Sequence, residues 1–105
     1  MGMKPRLKQE RLGEKLLQIR NALGLSQSQM LAQLGVEDIT PLKQMSKYEL
    51  GISEPPLRVI LRYAQEAGVH VEDLIDDELD LPEKLPGRVR YEGIKHKSAA
   101  RSKKR

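Results

Sequence analysis

Five polar side chains of one short segment could hydrogen-bond to double-stranded DNA: Thr40, Lys43, Gln44, Ser46 and Lys47. The amide of Gln44 can form a bidentate pair with adenine, and a lysine can donate to guanine O6 and N7 or to a phosphate. Either hydroxyl could reach the DNA backbone or a thymine methyl. The alternative is an ordinary helix surface that binds nothing.

Composition argues against most other kinds of site. The chain has no cysteine, which excludes disulfides and thiolate metal sites, and its two histidines, His70 and His96, lie far apart. Three tyrosines without Phe or Trp argue against a stacking platform for single-stranded nucleic acid. The acidic residues have no nucleophile, histidine or glycine-rich loop beside them. We therefore expect no metal, no cofactor and no enzymatic activity.

The elements that must position the polar segment are predicted to be short helices. One apolar stripe has the helical period and ends before Gly24; it consists of Leu12, Leu16, Ile19 and Leu23. Ser26 and Gln29 have the spacing of a capping box for a second helix, which ends at Gly35. Strand periodicity is absent, so we predict an all-α fold of about five helices.

Proline marks the start of the next two helices. Thr40 is the expected N-cap of a third helix, with Pro41 at its first position, Met45 and Tyr48 in the core and Leu42 near the same side. A fourth helix is expected from about Pro56 to Gly68, with four inward residues: Leu57, Ile60, Leu61 and Ala64. A fifth should begin at the cap residue His70, continue through Ile75 and extend as far as Leu79.

Charge divides the 105 residues into three blocks whose balances are +3 (residues 1–71), −7 (72–83) and +8 (84–105), for a net charge of +4. We expect a flexible N-terminal arm (1–7), a helical domain (8–81) and a basic, disordered tail (82–105). The acidic block is interpreted as a solvated helix end. Three roles for the tail stay open: contacting the DNA backbone, covering the acidic block, or aiding solubility. No apolar run is long enough to span a membrane.

From Leu12 to Ile75 the chain resembles the DNA-binding domain of the Xre/lambda-repressor-like helix-turn-helix family. The resemblance is carried, in order, by GLSQ at 24–27, by YELG at 48–51 with a proline at 55, and by AGV at 67–69. It implies a five-helix domain whose third helix lies in the DNA major groove. Two features depart from the pattern: Gly35 and Gly51 are 16 positions apart instead of about twelve, and a bulky Leu31 lies where a small residue is usual.

Combined with residue chemistry, the resemblance implies three further contacts to DNA. Gln27, in the first turn of the second helix, would hold a phosphate, and Ser53 and Arg58 would be phosphate clamps. The resemblance thereby implies a sequence-specific transcriptional regulator that binds double-stranded DNA. We expect a repressor rather than an activator, located in the cytoplasm at the nucleoid. The alternative is an antitoxin or bridging-type interaction protein that binds a toxin or the transcription machinery as well as DNA.

A homodimer is expected, because one such domain contacts few base pairs and two-fold half-sites about 34 Å apart suit a symmetric pair. The segment 74–85 alternates leucine or isoleucine with acidic residues and could pack across the two-fold axis through Leu79 and Leu81. It could equally lie on the core of its own chain.

Overall fold

The computed structural model of the protein describes residues 10–87 and places five α-helices there, with no strand in that range. They are α1 (Leu12–Leu23), α2 (Gln27–Leu34), α3 (Leu42–Glu49), α4 (Leu57–Ala67) and α5 (Val71–Ile75). The predicted all-α, five-helix class is confirmed. The expected N-terminal arm lies outside the described residues, as does most of the expected tail. No helix within 10–87 is long and apolar enough to cross a membrane.

The first two helices follow their sequence patterns closely. The stripe of α1 is buried at Leu12, Leu16 and Ile19, and Gly24 ends the helix with the left-handed φ that favours glycine. At α2 the hydroxyl of Ser26 accepts from the Gln29 N–H, while the Gln29 amide oxygen accepts from the Ser26 N–H. This reciprocal pair confirms the predicted capping box.

The helices that follow the prolines begin one residue later than predicted. Pro41 and Pro56 occupy the extended N-cap positions of α3 and α4 rather than the first helical positions. Thr40 therefore lies outside α3, and its side chain is buried instead of capping the helix. The prolines still mark the starts, because a fixed φ and a missing N–H are compatible with either position.

The inward face of α4 differs from the prediction at two of four positions. Ile60 and Ala64 are buried as expected, whereas Leu57 and Leu61 are exposed. The core instead takes the neighbouring stripe of Val59 and Tyr63, together with Ala67. The spacing of the aliphatic residues is compatible with burial of either stripe. Burial of the large Tyr63 ring favours the orientation of α4 in which Val59 and Tyr63 face the core.

Between α2 and α3 the longer connection forms a packed turn. Val36 is buried, and its carbonyl accepts from the N–H groups of Ile39 and Thr40. The bulky Leu31 is accommodated in the core. The extra residues are thus ordered by local hydrogen bonds and by one buried valine.

Helices α1 and α3 approach closely at Gly13. A Cβ atom there would lie 2.8 Å from the carbonyl oxygens of Tyr48 and Glu49, a distance too short for a side chain. The contact of α1 with the C-terminal end of α3 therefore requires glycine at this position. Helix α3 is held against the core from this side.

The acidic residues after α5 bind the start of α1, which corrects their interpretation as a solvated helix end. Helix α5 ends at Ile75 rather than Leu79. Beyond it, Asp77 accepts from the N–H groups of Glu10 and Arg11, and the Arg11 guanidinium reaches Asp80 at 2.6 Å. We call residues 76–80 the acidic clasp. It supplies the cap that α1 lacks in its own sequence.

Lys15 completes the contact between α1 and α5. Its side chain is fully buried, and its Nζ donates to the carbonyl oxygens of Asp73 (2.7 Å) and Asp76 (2.9 Å). Burial lowers the pKa of this ammonium group from its ordinary value. The lysine thus satisfies carbonyls at the end of α5 that have no partner inside the helix.

Packing continues beyond residue 81. Leu81 is buried in the core of its own chain, and Leu85 packs against that core. The Gly87 N–H donates to the carbonyl of Ala67 at the end of α4. The folded unit therefore includes residues that the sequence analysis assigned to the tail.

Candidate nucleic-acid interface

Helix α3 presents a polar outward face opposite a buried one. Met45 and Tyr48 are buried, as predicted. Lys43 and Lys47 lie one turn apart and are both exposed, with Ser46 half-buried beside them. Neither lysine has an ion-pair partner among the described residues. Two adjacent, unpaired ammonium groups on one helix can bind phosphates or the acceptor edge of guanine.

Thr40 is not part of this face, which corrects its prediction as a DNA contact. Only 1% of the residue is exposed, and its Oγ1 lies 3.3 Å from the hydroxyl oxygen of Tyr48. The same contact keeps the Tyr48 hydroxyl inside the protein. Both polar groups are satisfied by each other as the turn closes on α3.

Gln44 lies at the edge of the outward face and is half-buried. Its Oε1 is buried and has no hydrogen-bond partner among the described residues. A bidentate pair with adenine requires the amide oxygen and nitrogen together. In this side-chain conformation Gln44 offers the amide nitrogen alone, so the expected bidentate pair would require the amide to rotate.

Gln27 is held by a partly buried network that joins three helices. Its Nε2 donates to Glu49 Oε1 at 3.0 Å. The same carboxylate accepts from Arg20 through Nε (2.6 Å) and Nη2 (3.0 Å), and the Glu49 side chain is only 4% exposed. Gln27 is therefore fixed at the start of α2, with one amide hydrogen left for an outside acceptor.

No local pattern in the sequence indicates this network. Arg20 and Glu49 are 29 residues apart and belong to different helices, so no local spacing connects them. Glu49 lies one turn after Met45, on the buried side of α3. A charged residue at this position was the one available signal in the sequence. A buried glutamate needs a cation, and Arg20, with its planar fork, provides two parallel hydrogen bonds.

The loop after α3 brings Ser53 near Lys47. The carbonyl of Lys47 accepts from the N–H groups of Ile52 (2.9 Å) and Ser53 (3.2 Å), which folds the loop over the end of the helix. Ser53 is half-buried. Arg58 is exposed in the first turn of α4, outside the loop that follows α3. Of the two predicted clamps, Ser53 is placed beside the α3 face.

The residues that the structure describes carry a net negative charge, although the whole chain is basic. Residues 10–87 contain eight Lys or Arg against fourteen Asp or Glu, a balance of −6, so eleven of the nineteen basic residues lie outside the described range. Four of the eight are hydrogen-bonded to carboxylates or carbonyls: Arg11, Lys15, Arg20 and Arg62. Within residues 10–87 the positive charge available for a polyanion therefore lies on the other four basic residues, two of which are in α3.

No family model, curated protein or solved structure matches this chain. The candidate interface consequently rests on the geometry of α3 and on residue chemistry. Within residues 10–87 no group of histidine and carboxylate side chains could hold a metal ion.

Proposed function

We propose that this protein binds double-stranded DNA sequence-specifically and acts as a transcriptional regulator, repressing by occupying its site. The observation that carries the proposal is the pair Lys43 and Lys47, which are exposed and have no ion-pair partner among residues 10–87, on a short helix whose opposite side is buried. The order of motifs that resembles the Xre/lambda-repressor-like family adds support. Such a regulator would act at the nucleoid.

In this proposal α3 enters the major groove, where Lys43 and Lys47 contact guanine or phosphate. Ser46 and Ser53 donate to the DNA backbone, and Gln27 contributes its remaining amide hydrogen to a phosphate. Gln44 supplies an amide nitrogen at the edge of the face. Arg58 would extend the backbone contacts from α4.

The acidic balance of residues 10–87 limits how strongly this unit alone can attract DNA. Most of the basic residues belong to the flanking segments 1–9 and 88–105. We propose that these residues supply sequence-independent phosphate contacts while α3 supplies specificity. Truncation after Gly87 should then weaken binding to all duplexes alike and flatten its salt dependence, whereas unchanged affinity would remove the segment 88–105 from the DNA contact.

The direct experiment is selection of bound sequences from random duplexes, followed by titration of the selected duplex at two salt concentrations. We expect an enriched motif and a selected site bound at least tenfold more tightly than a scrambled one. Binding without an enriched motif, dependent on salt alone, would show a non-specific polyanion binder and refute the proposal.

A homodimer would double the number of base pairs that are read. Burial of Leu81 within its own chain makes its replacement a test of folding rather than of association. Leu79 is half-buried, so Leu79→Ala is the appropriate variant for sedimentation analysis. A shift toward monomer would support association through the segment 74–85, and an unchanged profile would remove that surface.

A second candidate is an antitoxin or bridging-type protein that binds a protein partner as well as DNA. Three large apolar side chains in the region from α3 to α4 favour it, because Leu50, Ile52 and Leu57 are 70%, 65% and 81% exposed. Co-expression with the product of a neighbouring reading frame, followed by size-exclusion chromatography, tests this candidate. A stoichiometric complex that Leu57→Ala weakens would support it.

A further inference from the structure

Leu42 is exposed at the start of α3, where the sequence analysis placed it near the core. It is the first residue of the helix and is 46% exposed. Ser46 lies one turn further along the same side, and Lys43 is the next residue. Because Met45, three residues further on, is buried and Ser46 is small, no large exposed side chain covers the outer side of Leu42 along the helix.

The polar side chains of α3 offer few suitable contacts to an A·T base pair. Lysines donate hydrogen bonds and therefore favour guanine or a phosphate. Gln44, whose Oε1 is buried, does not present the donor and acceptor pair that adenine requires. The major-groove edge of an A·T pair also carries an apolar group, the C5-methyl of thymine, and apolar side chains contact it.

We propose that Leu42 contacts the C5-methyl group of a thymine and so determines specificity for an A·T pair. This inference rests on the proposed function, because it requires α3 to lie in the major groove with its N-terminal end toward the base edges. Removing water from the leucine side chain and the methyl group favours the contact. Lys43, beside it in sequence, would bind the neighbouring guanine or phosphate.

Replacement of thymine by deoxyuridine tests the contact, since it removes the methyl group and preserves base pairing. In the selected duplex each thymine is replaced singly, and affinity is measured by fluorescence anisotropy. We expect about a three- to tenfold loss at one position for the unmodified protein, as for one buried methyl group. The Leu42→Ala variant should bind the thymine and deoxyuridine duplexes equally at that position.

Leu61→Ala is the matched control, because Leu61 is a leucine of similar exposure, 43%, on α4. This variant should retain the full preference for thymine over deoxyuridine. Thermal unfolding of both variants checks that they fold, and the deoxyuridine series on the unmodified protein needs no variant at all.

The outcomes separate this inference from the proposed function. Failure to enrich any motif refutes sequence-specific binding itself. An enriched motif with no required A·T pair, or with no loss at any deoxyuridine, leaves specific binding in place and overturns the role of Leu42. A methyl preference that persists in Leu42→Ala assigns the contact to another residue and likewise overturns it.

Discussion

The cationic side chains at α1 and those of α3 differ in whether they are paired within residues 10–87. Arg11, Lys15 and Arg20, at the start and along α1, all donate to carboxylates or carbonyls from distant parts of the chain. Lys43 and Lys47 on α3 have no such partner among residues 10–87. Identical formal charges thus serve the fold in one helix and remain available to a ligand in the other, and only their surroundings distinguish them.

The largest expected effect is removal of the carboxylate that holds Arg20. Glu49→Ala should lower the free energy of unfolding by about 3–5 kcal/mol, because it leaves a largely buried guanidinium without its partner. Urea denaturation followed by circular dichroism measures this. Glu14→Ala, which removes an exposed carboxylate 3.3 Å from Arg11, should change stability by less than about 0.5 kcal/mol and is the control.

Two matched lysine substitutions test the comparison itself. Lys15→Met keeps the apolar stem but leaves the partly buried Asp73 carbonyl without its donor and the Asp76 carbonyl with the Leu79 N–H alone, so the free energy of unfolding should fall by about 1–3 kcal/mol. Lys43→Met should change it by no more than about 0.5 kcal/mol. Equal losses in the two variants would contradict the distinction between structural and available cations.

The third prediction concerns DNA affinity. Lys43→Ala and Lys47→Ala should each weaken binding, and each lost phosphate contact should reduce the slope of log affinity against log salt by about 1. Should a lysine contact guanine instead, preference at one base pair would relax with little change in slope. Lys84→Ala, an exposed lysine after the acidic clasp, is the control and should retain the unmodified slope.

The smallest effect should come from the acidic clasp. Hydrogen bonds from the backbone N–H groups of Glu10 and Arg11 lower the pKa of Asp77 below its ordinary value of 3.8. The stabilisation is therefore complete above the ordinary pKa and is lost as pH falls below it through the lowered pKa. Thermal unfolding is measured between about pH 6 and about pH 2, the range in which carboxylates titrate. The melting temperature of Asp77→Asn should fall less with decreasing pH than that of the unmodified protein. An identical acid profile for this variant would exclude Asp77 as the cap of α1.

Local patterns were sufficient for much of the fold. The α1 stripe, the Ser26 capping box and the glycine after α2 were predicted correctly because each depends on residues within one or two turns. The inward face of α4 could not be chosen locally, since two stripes of similar hydrophobicity compete and Tyr63 decides between them. Of the candidate contacts, Lys43 and Lys47 are exposed as expected, whereas Thr40 is buried by the turn that precedes α3.

The sequence alone determined the helical class, the approximate ends of the helices and a polar third helix, because periodicity and capping act over short distances. The tertiary structure alone decided which charged side chains are paired within the protein. Glu49 meets Arg20, and Asp77 meets the start of α1, through contacts between segments 29 and more than 60 residues apart. Charge pairing over such separations depends on how the helices pack, so the sequence shows the number of cations but not which of them stay free for a partner.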